Sequence, residues 1–448
     1  MKKTLNSAGF LAICAIAVLF TALLPSCTKN EAADARGLLA TVPSDASMVA
    51  VINIKAIIDD TGSKVDGAKV DPSKQLSEAI AEVSDPKKAE RLKALLDGKS
   101  GVDLSCAIIF MEGMDVYAHG NLADPEAFKT MVESESGEKF TTADGVESCG
   151  NTAVDGNRFW IRLSHRNSIE PNIVKRFTGL DQSQSILSVS GIESLADTGH
   201  DIAGWANAAA LINASPAGFS QKAMTRMAVE ALFADAQSLN FTADFDKGEF
   251  ETELSVLNSK GKAAKFLYPL EKVDTKTIAD ANVSGSMVIA AAISKKAIAK
   301  FQKDAGENSV SMMKEYARLL GCLDGTCVIV SDDKGGVSGR LSTTGENTLG
   351  LQQMLNSFGF STNLNGKALF LSKGTPIGSL STAEAAPLFK GAAAGMVIDG
   401  NMMGTGNAKL KSFSFMLVPD DGSVKIEIKT LSSDSGQNFL LTLLESAV

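Results

Sequence analysis

Residues 48–54 read MVAVINI, and residues 287–293 read MVIAAAI. Each apolar run follows a small residue and leads into a segment with helical periodicity. Residues 105–109 (SCAII) and 326–330 (TCVIV) form a second matching pair, followed in both places by a turn and a further strand. The same elements in the same order indicate an internal repeat, in which one structural unit occurs twice along the chain.

The correspondence extends to the later part of each copy. Predicted hairpins at residues 241–256 and 413–430 both carry alternating apolar residues around an Asp- and Gly-containing turn. Copy one also carries surplus residues, the clearest being the helical run 221–236, which has no counterpart in copy two. We place copy one at residues 38–275 and copy two at residues 276–448.

The early elements of each copy follow the order strand, helix, strand, strand, helix, strand. In copy one these elements are predicted at residues 48–54, 74–96, 106–111, 115–122, 125–133 and 158–163. This order matches ferredoxin-like βαββαβ domains. A closing helix, at 262–270 or 436–445, would then cover the hairpin of its own copy. We therefore predict an α+β fold of two tandem homologous copies, each an antiparallel sheet with helices mainly on one face.

The N-terminus predicts export and lipidation. Lys2 and Lys3 precede an apolar run that ends in Leu24-Pro25-Ser26-Cys27, which resembles a bacterial lipobox. We predict a signal peptide at residues 1–26, a lipid on Cys27 and a flexible tether over 27–37. The chain would then be held at the outer membrane in the cell envelope, with the periplasmic or surface face left open. The alternative is an uncleaved signal anchor with an incidental cysteine.

The charge balance argues against polyanionic partners. The chain has 43 Lys and Arg residues and 52 Asp and Glu residues. Removal of residues 1–26 takes away two lysines, so 41 basic residues would stand against 52 acidic ones, a net charge of −11. No basic cluster interrupts this acidic background. We therefore expect no nucleic-acid binding.

Four cysteines remain beside the lipidation site: Cys106, Cys149, Cys322 and Cys327. An exported chain permits disulfides, and Cys322 and Cys327 are near enough in sequence to close a small loop. Buried free thiols are the alternative for all four. The scarcity of histidine and of a second close cysteine pair argues against a zinc site, and we predict no metal and no cofactor.

Catalytic motifs are sparse. The three histidines, His119, His165 and His200, do not adjoin a nucleophile elbow, because the chain contains no G-x-S-x-G. The S-x-x-K matches at residues 84–87 and 311–314 lack their companion motifs. No catalytic residue can be assigned from sequence, and we expect a non-enzymatic role.

Two features bear on ligand binding. The small-residue runs 206–210 and 391–395 could line a cavity between sheet and helices, or could permit close packing there. Trp160 and Trp205 lie in apolar strand segments and are predicted to be core residues. A broad aromatic platform for stacking sugar rings is therefore not expected.

Residues 42–53 read VPSDASMVAVIN, and together with the lipobox and the two-copy layout they resemble a family of uncharacterised Bacteroidota lipoproteins with a domain of unknown function. The resemblance implies no activity and no functional residues. We expect a lipid-anchored envelope protein with a binding or scaffold role and an unknown protein or envelope-ligand partner. The alternatives are a hydrolase with a site between the copies, using acids such as Asp59 and Asp60, or a lipid carrier.

Overall fold

The computed structural model describes residues 31–66, 69–83, 86–164, 168–196, 199–214, 219–308, 315, 318–403 and 410–446. The signal peptide and Cys27 lie outside these residues. In the described ranges, no helix is both long enough and apolar enough to cross a membrane.

The chain combines helices with many antiparallel strands. The helices are α1 (Glu31–Leu39), α2 (Ile54–Asp60), α3 (Lys74–Glu82), α4 (Pro86–Leu96), α5 (Pro125–Ser136), α6 (Pro171–Thr178), α7 (Ala208–Ala214), α8 (Phe219–Leu232), α9 (Thr275–Ala279), α10 (Lys295–Asn308), α11 (Leu349–Ser357), α12 (Thr382–Ala385) and α13 (Phe439–Ser446). Four short 3-10 turns lie between them.

The strands of the first half are β1 (Met48–Ile52), β2 (Lys64–Asp66), β3 (Lys69–Asp71), β4 (Val102–Glu112), β5 (Asp115–Leu122), β6 (Thr141–Ala143), β7 (Val146–Cys149), β8 (Thr152–Asp155), β9 (Arg158–Arg162), β10 (Ile202–Asn207), β11 (Phe233–Ala234), β12 (Ser238–Phe245), β13 (Glu249–Leu257) and β14 (Lys265–Phe266). Those of the second half are β15 (Ser284–Gly285), β16 (Met287–Ile293), β17 (Gly325–Ser331), β18 (Val337–Ser342), β19 (Ser361–Asn365), β20 (Ala368–Lys373), β21 (Leu380–Ser381), β22 (Ala394–Asp399), β23 (Leu410–Asp420) and β24 (Ser423–Ser432).

Eighteen of these strands form one sheet. Following the pairings, its order is β6-β7-β8-β9-β5-β4-β1-β10-β12-β13-β24-β23-β22-β16-β17-β18-β20-β19, with every pair antiparallel. The α+β class with a large antiparallel sheet is therefore confirmed.

The ferredoxin-like prediction is wrong. That arrangement would place β1 between β5 and β9 and separate it from β4, whereas β1 lies between β4 and β10. Ile52 at the end of β1 pairs with Ala107, and Met48 pairs with Met111, so the segment between β1 and β4 starts and finishes at the same end of the sheet and β4 runs back directly beside β1. The result is a meander, β1-β4-β5-β9, instead of a split βαβ unit.

Both faces of the first half are covered, which corrects the expectation of helices mainly on one face. Ala50 and Ile52 pack into a core with Phe128 of α5, whereas Val49 and Val51 pack on the opposite face with α1 and α6. The reason lies in β1 itself, which is a continuous apolar run without polar alternation. Such a strand is stable only when both of its faces are buried.

Three further predictions need correction. Residues 262–270 do not form a closing helix, because β14 in this segment pairs with β11. The second predicted closing helix exists as α13, but it covers the other half: Phe439 stacks on Phe250 of β13 and belongs to the first-half core. The expected flexible tether is helical from Glu31 onward, and Ala35 is buried, because α1 supplies apolar contacts to the β1 face.

Strands β13 and β24 join the two halves into one sheet. They pair from Glu249 opposite Leu431 to Ser255 opposite Lys425. On one face of this pair Lys425 Nζ lies 3.0 Å from Glu253 and Lys429 Nζ lies 2.8 Å from Glu251. These ion pairs offset the like charges of Glu253 and Glu427, which stand directly opposite each other.

The central position of this pair predicts a sharp difference between two substitutions of one residue. Glu253→Pro removes a backbone donor from an interior ladder and should lower the free energy of unfolding by on the order of 3 kcal/mol. Glu253→Ala removes only a half-exposed ion pair and should change it by less than about 1 kcal/mol. Urea denaturation followed by circular dichroism measures both; equal effects would show that the ladder does not hold the halves together.

Candidate functional site

A cleft of about 620 Å³ opens at the end of the first-half sheet where β1 begins and β10 ends. Its residues come from five segments: the turn before β1, the loop after the 3-10 helix Ile186–Ser188, the end of β10 with α7, the start of β12, and the turn after β13 at the rim. They are Ser44, Asp45, Ala46, Ser47, Val189, Ser190, Trp205, Asn207, Ala209, Ala210, Asn213, Gln237, Ser238, Asn258 and Ser259. The volume is in the range of sites that hold small molecules.

Backbone hydrogen bonds fix the base of the cleft. The N–H of Asn207 donates to Ser47 O at 2.9 Å, and the N–H of Ala208 donates to Gln237 O at 3.0 Å. The side chain of Asn207 accepts the N–H of Ala210 at 2.9 Å in the first turn of α7. The residues at the base are thus held by the sheet and by the start of the helix, so the cleft is largely pre-formed.

The lining is rich in uncharged hydrogen-bonding groups. The carbonyl oxygens of Asn207, Asn213 and Asn258 already accept bonds, from Ala210 N, from Arg226 Nη2 at 3.3 Å and from Lys260 N at 2.9 Å. Within the described part of the chain, the Nδ2 donors of these three asparagines have no partner. Asp45 is the single ionisable side chain in the lining.

Trp205 connects the cleft to the core. It is 4% exposed, and its cross-strand neighbour on β12 is Asn240. Its indole Nε1–H and the Oδ1 of Asn240 are both buried, and neither has a hydrogen-bond partner among the described residues. An unpaired buried donor of this kind costs about 1 to 3 kcal/mol of stability.

A cluster of carboxyl groups lies at the opposite end of the same strands. Asp201 precedes β10, Asp60 ends α2, and Asp244 and Asp246 lie at the end of β12. Asp201 is 2% exposed and accepts the N–H of Phe245 at 2.7 Å, while its own N–H donates to Asp244 at 3.1 Å.

Burial governs the electrostatics of this cluster. Burial, together with the nearby charges of Asp60, Asp244 and Asp246, raises the pKa of Asp201 to about 7, although the hydrogen bond from the N–H of Phe245 opposes this shift. Burial and the charge of Asp246 also raise the pKa of Asp60, although a hydrogen bond to Asp201 opposes this. A buried acid that keeps its proton near neutrality beside an exposed carboxyl can exchange a proton with it. In the ranges described, no three His, Cys, Asp or Glu side chains are arranged to hold a metal ion.

The raised pKa of Asp201 predicts a pH-dependent stability. The folded state holds the proton more tightly than the unfolded chain, so this stabilisation is complete below pH 3.8 and is lost as the pH rises through about 7. The loss is on the order of 4 kcal/mol. Asp201→Asn keeps an acceptor for Phe245 N and removes the titration.

Thermal or urea unfolding of both proteins at pH 4 and pH 8 tests this prediction. The stability of Asp201→Asn relative to the unmodified chain should rise between the two values. Because His119 titrates in both proteins, the comparison cancels its contribution. A constant difference across this pH range would contradict the assignment.

The structure separates the other residues singled out from sequence. His119 is fully buried; its Nδ1 lies 2.9 Å from Phe159 O, its ring stacks on Trp160, and burial lowers its pKa to about 3. It is a core residue that ties β5 to β9. His200 is on the surface and pairs with Asp244 at 2.7 Å. His165 lies outside the described residues.

Cys322 and Cys327 are not joined, and all four described cysteines are buried thiols. The Sγ of Cys322 lies 3.4 Å from Leu319 O. Cys327 lies on β17 and packs in an apolar cluster with α11. Burial raises the pKa of the Cys327 thiol to about 11, which makes it a poor nucleophile. The candidate disulfide is therefore absent from the structure.

The remaining predictions are met in part. Trp160 and Trp205 are core residues, as predicted. Run 206–210 does reach a cavity, through Ala209 and Ala210. In run 391–395, by contrast, Ala392 packs in a core and Ala393 is buried. Asp60 joins the carboxyl cluster, but this cluster lies at the end of the first-half strands and not in a cleft between the copies.

Sequence reasoning missed both Asp201 and the cleft. Asp201 stands directly before β10, in a turn-like stretch where an aspartate has an ordinary structural explanation. The cleft residues come from five separate segments. The surplus of residues between β10 and β12 was the one signal that could have located it.

No protein-family model and no curated protein matches the chain. Among solved structures, crystal form IV of TP0453 has a TM-score of 0.29 and 12% identity, covering 49% of this chain and 79% of that chain. Crystal forms I and III of TP0453 have TM-scores of 0.27 and 0.26 at 9% identity, covering 79% of this chain and 96% and 98% of those chains. Similarity at this level carries no argument about fold or function.

Proposed function

We propose that this chain is a lipid-anchored protein of the cell envelope that binds a small ligand in the cleft beside Trp205. The observation that carries the binding role is the pre-formed cleft of about 620 Å³ with three unpaired asparagine donors. The lipobox at residues 24–27 supports the anchor and the envelope location, periplasmic or surface. Ligand binding is favoured over catalysis at this place because the lining supplies hydrogen bonds without a nucleophile beside a base.

We further propose that the body consists of two tandem homologous copies related by an approximate two-fold axis. In support, β1 lies between β4 and β10 as β16 lies between β17 and β22. The hairpins align residues 250–256 with 424–430, so Glu253 corresponds to Glu427. Glu253 and Glu427 stand opposite each other in the β13–β24 pair, as a two-fold axis through the centre of this pair requires.

The two copies differ in the length of one connecting segment, which lies at the cleft. Residues 208–237, which include α7 and α8, connect β10 to β12 in the first half. The corresponding connection between β22 and β23 is the much shorter segment 400–409. An insertion in one copy therefore supplies a wall of the cleft, including Ala209, Ala210 and Asn213. Duplication with divergence at one end is a direct route to a single binding site on a repeated scaffold.

The anchor is tested by fatty-acid labelling in a bacterium that processes lipoproteins. The full chain should incorporate an alkyne-bearing fatty acid and fractionate with membranes. Cys27→Ala should lose the label and remain a larger precursor, because the acceptor thiol is gone. Cys14→Ala, which changes a cysteine inside the predicted signal peptide, is the matched control and should label normally. Equal labelling of both variants would exclude Cys27 as the site.

The binding role is tested with a variant that narrows the cleft. Ala209 is an exposed helix residue in the lining, and Ala299 is an exposed helix residue on α10. The low-molecular-mass fraction of the cell envelope should raise the melting temperature of the unmodified chain and of Ala299→Leu. It should not raise that of Ala209→Leu, because leucine occupies ligand space. No shift in any protein would overturn the binding role.

A hydrolase is the second candidate, and the carboxyl cluster favours it. Asp201 could hold a proton near neutral pH and exchange it with the exposed Asp60, which is the division of roles that acid–base catalysis needs. The lower ranking follows from the 2% exposure of Asp201, which keeps it from direct contact with a substrate. A hydrolytic activity lost in Asp60→Asn, in a chain that remains folded, would reverse the order of the two candidates.

A further inference from the structure

We infer that the ligand of the cleft is a neutral, polyhydroxylated molecule, a small oligosaccharide, held by hydrogen bonds to the lining. This inference rests on the proposed binding function and specifies its ligand class.

The lining matches hydroxyl groups. Ten of its fifteen residues carry side-chain hydroxyl, amide or carboxyl groups. The unpaired Nδ2 groups of Asn207, Asn213 and Asn258 donate, and the carboxylate of Asp45 accepts. A sugar hydroxyl does both, so one ligand can satisfy donors and the acceptor at the same time. An apolar ligand would leave these groups desolvated and unpaired, at about 1 to 3 kcal/mol for each group.

The charges near the cleft disfavour an anionic ligand. Asp45 lies in the lining, and Asp235 accepts the N–H and hydroxyl of Ser259 at the rim. The two cations of α8 that approach the cleft, Lys222 and Arg226, are directed to the carbonyl oxygens of Asn213 and do not line it. Within the lining itself, a phosphate or carboxylate would therefore meet Asp45 and no cation.

The strands beneath the cleft disfavour an extended peptide. Peptides commonly bind by adding a strand to an open sheet edge. Here β1, β10 and β12 each pair on both sides, with β4 and β13 as the outer neighbours. Their backbone groups are already used in the ladders, so no open edge is left for a peptide strand to join.

Trp205 lies at the cleft but offers no open ring face. The residue is 4% exposed, and its Nε1–H is buried. A sugar ring therefore has no face of this residue on which to stack, and the hydroxyl, amide and carboxyl groups of the lining are the contacts that recognise the ligand.

Tryptophan fluorescence provides a direct test, because the chain has two tryptophans and the other, Trp160, is fully buried. In a Trp160→Phe protein the emission comes from Trp205 alone. Titration with maltose, cellobiose, lactose and chitobiose should give a saturable change with at least one sugar. Ala209→Leu should weaken that binding at least tenfold, whereas Ala299→Leu should leave it unchanged. Calorimetry of the unmodified chain with the same sugars gives a readout that does not depend on the Trp160 substitution.

Parallel titrations with trialanine and with inorganic phosphate separate the alternatives. Saturable binding of either at the cleft, with none of the sugars bound, would overturn the inference. If the envelope fraction stabilises the protein but none of the four sugars binds by fluorescence or calorimetry, the inferred ligand class is wrong and the proposed binding function stands. If neither the envelope fraction nor any sugar binds, both proposals fail.

Discussion

The backbone ladder between β13 and β24 is the interaction on which the rest of the molecule depends. It turns two sets of strands that are far apart in sequence into one sheet, and its polar face needs Lys425 and Lys429 to offset three glutamates. Helix α13, which follows β24, strengthens the connection between the halves, since Phe439, Leu440 and Leu441 pack into the core of the first half. Helix α13 thus stabilises the first half of the sheet, although it follows the last strand of the second half.

This continuous sheet leaves the two halves free to differ at their ends. The paired strands are buried by helices on both faces in the first half, so substitutions there affect stability more than function. Connections at the strand ends carry few such constraints, and loops of this kind tolerate insertion. The segment between β10 and β12 carries the largest difference between the halves, and it forms a wall of the cleft. In the proposed duplication, the cleft is therefore the place where one copy diverged to form the proposed binding site.

The buried polar residues serve two distinct purposes. His119 is neutral, with Nδ1 bonded to Phe159 O of β9 and Nε2 bonded to the hydroxyl of Thr41, and its ring stacks on the indole of Trp160 in the core. Asp201 is also bonded, but its carboxyl group lies beside three others and burial shifts its pKa toward neutrality. The first arrangement is stable wherever histidine is neutral, whereas the second changes its charge within the physiological range. The charge of the carboxyl cluster therefore changes near neutral pH.

The amino-acid sequence alone determined the α+β class, the main strands at 48–52 and 287–293, the hairpin alternation and the core positions of both tryptophans. These features follow from local periodicity, since the spacing of apolar residues specifies which face of a strand is buried. The sequence did not determine that β1 is flanked by β4 and β10, that α13 crosses to the first half, or that five segments meet around Trp205. Only the tertiary structure decided these points, because strand partners and cleft walls depend on contacts between distant residues, and local patterns carry no information about which distant surface each one meets.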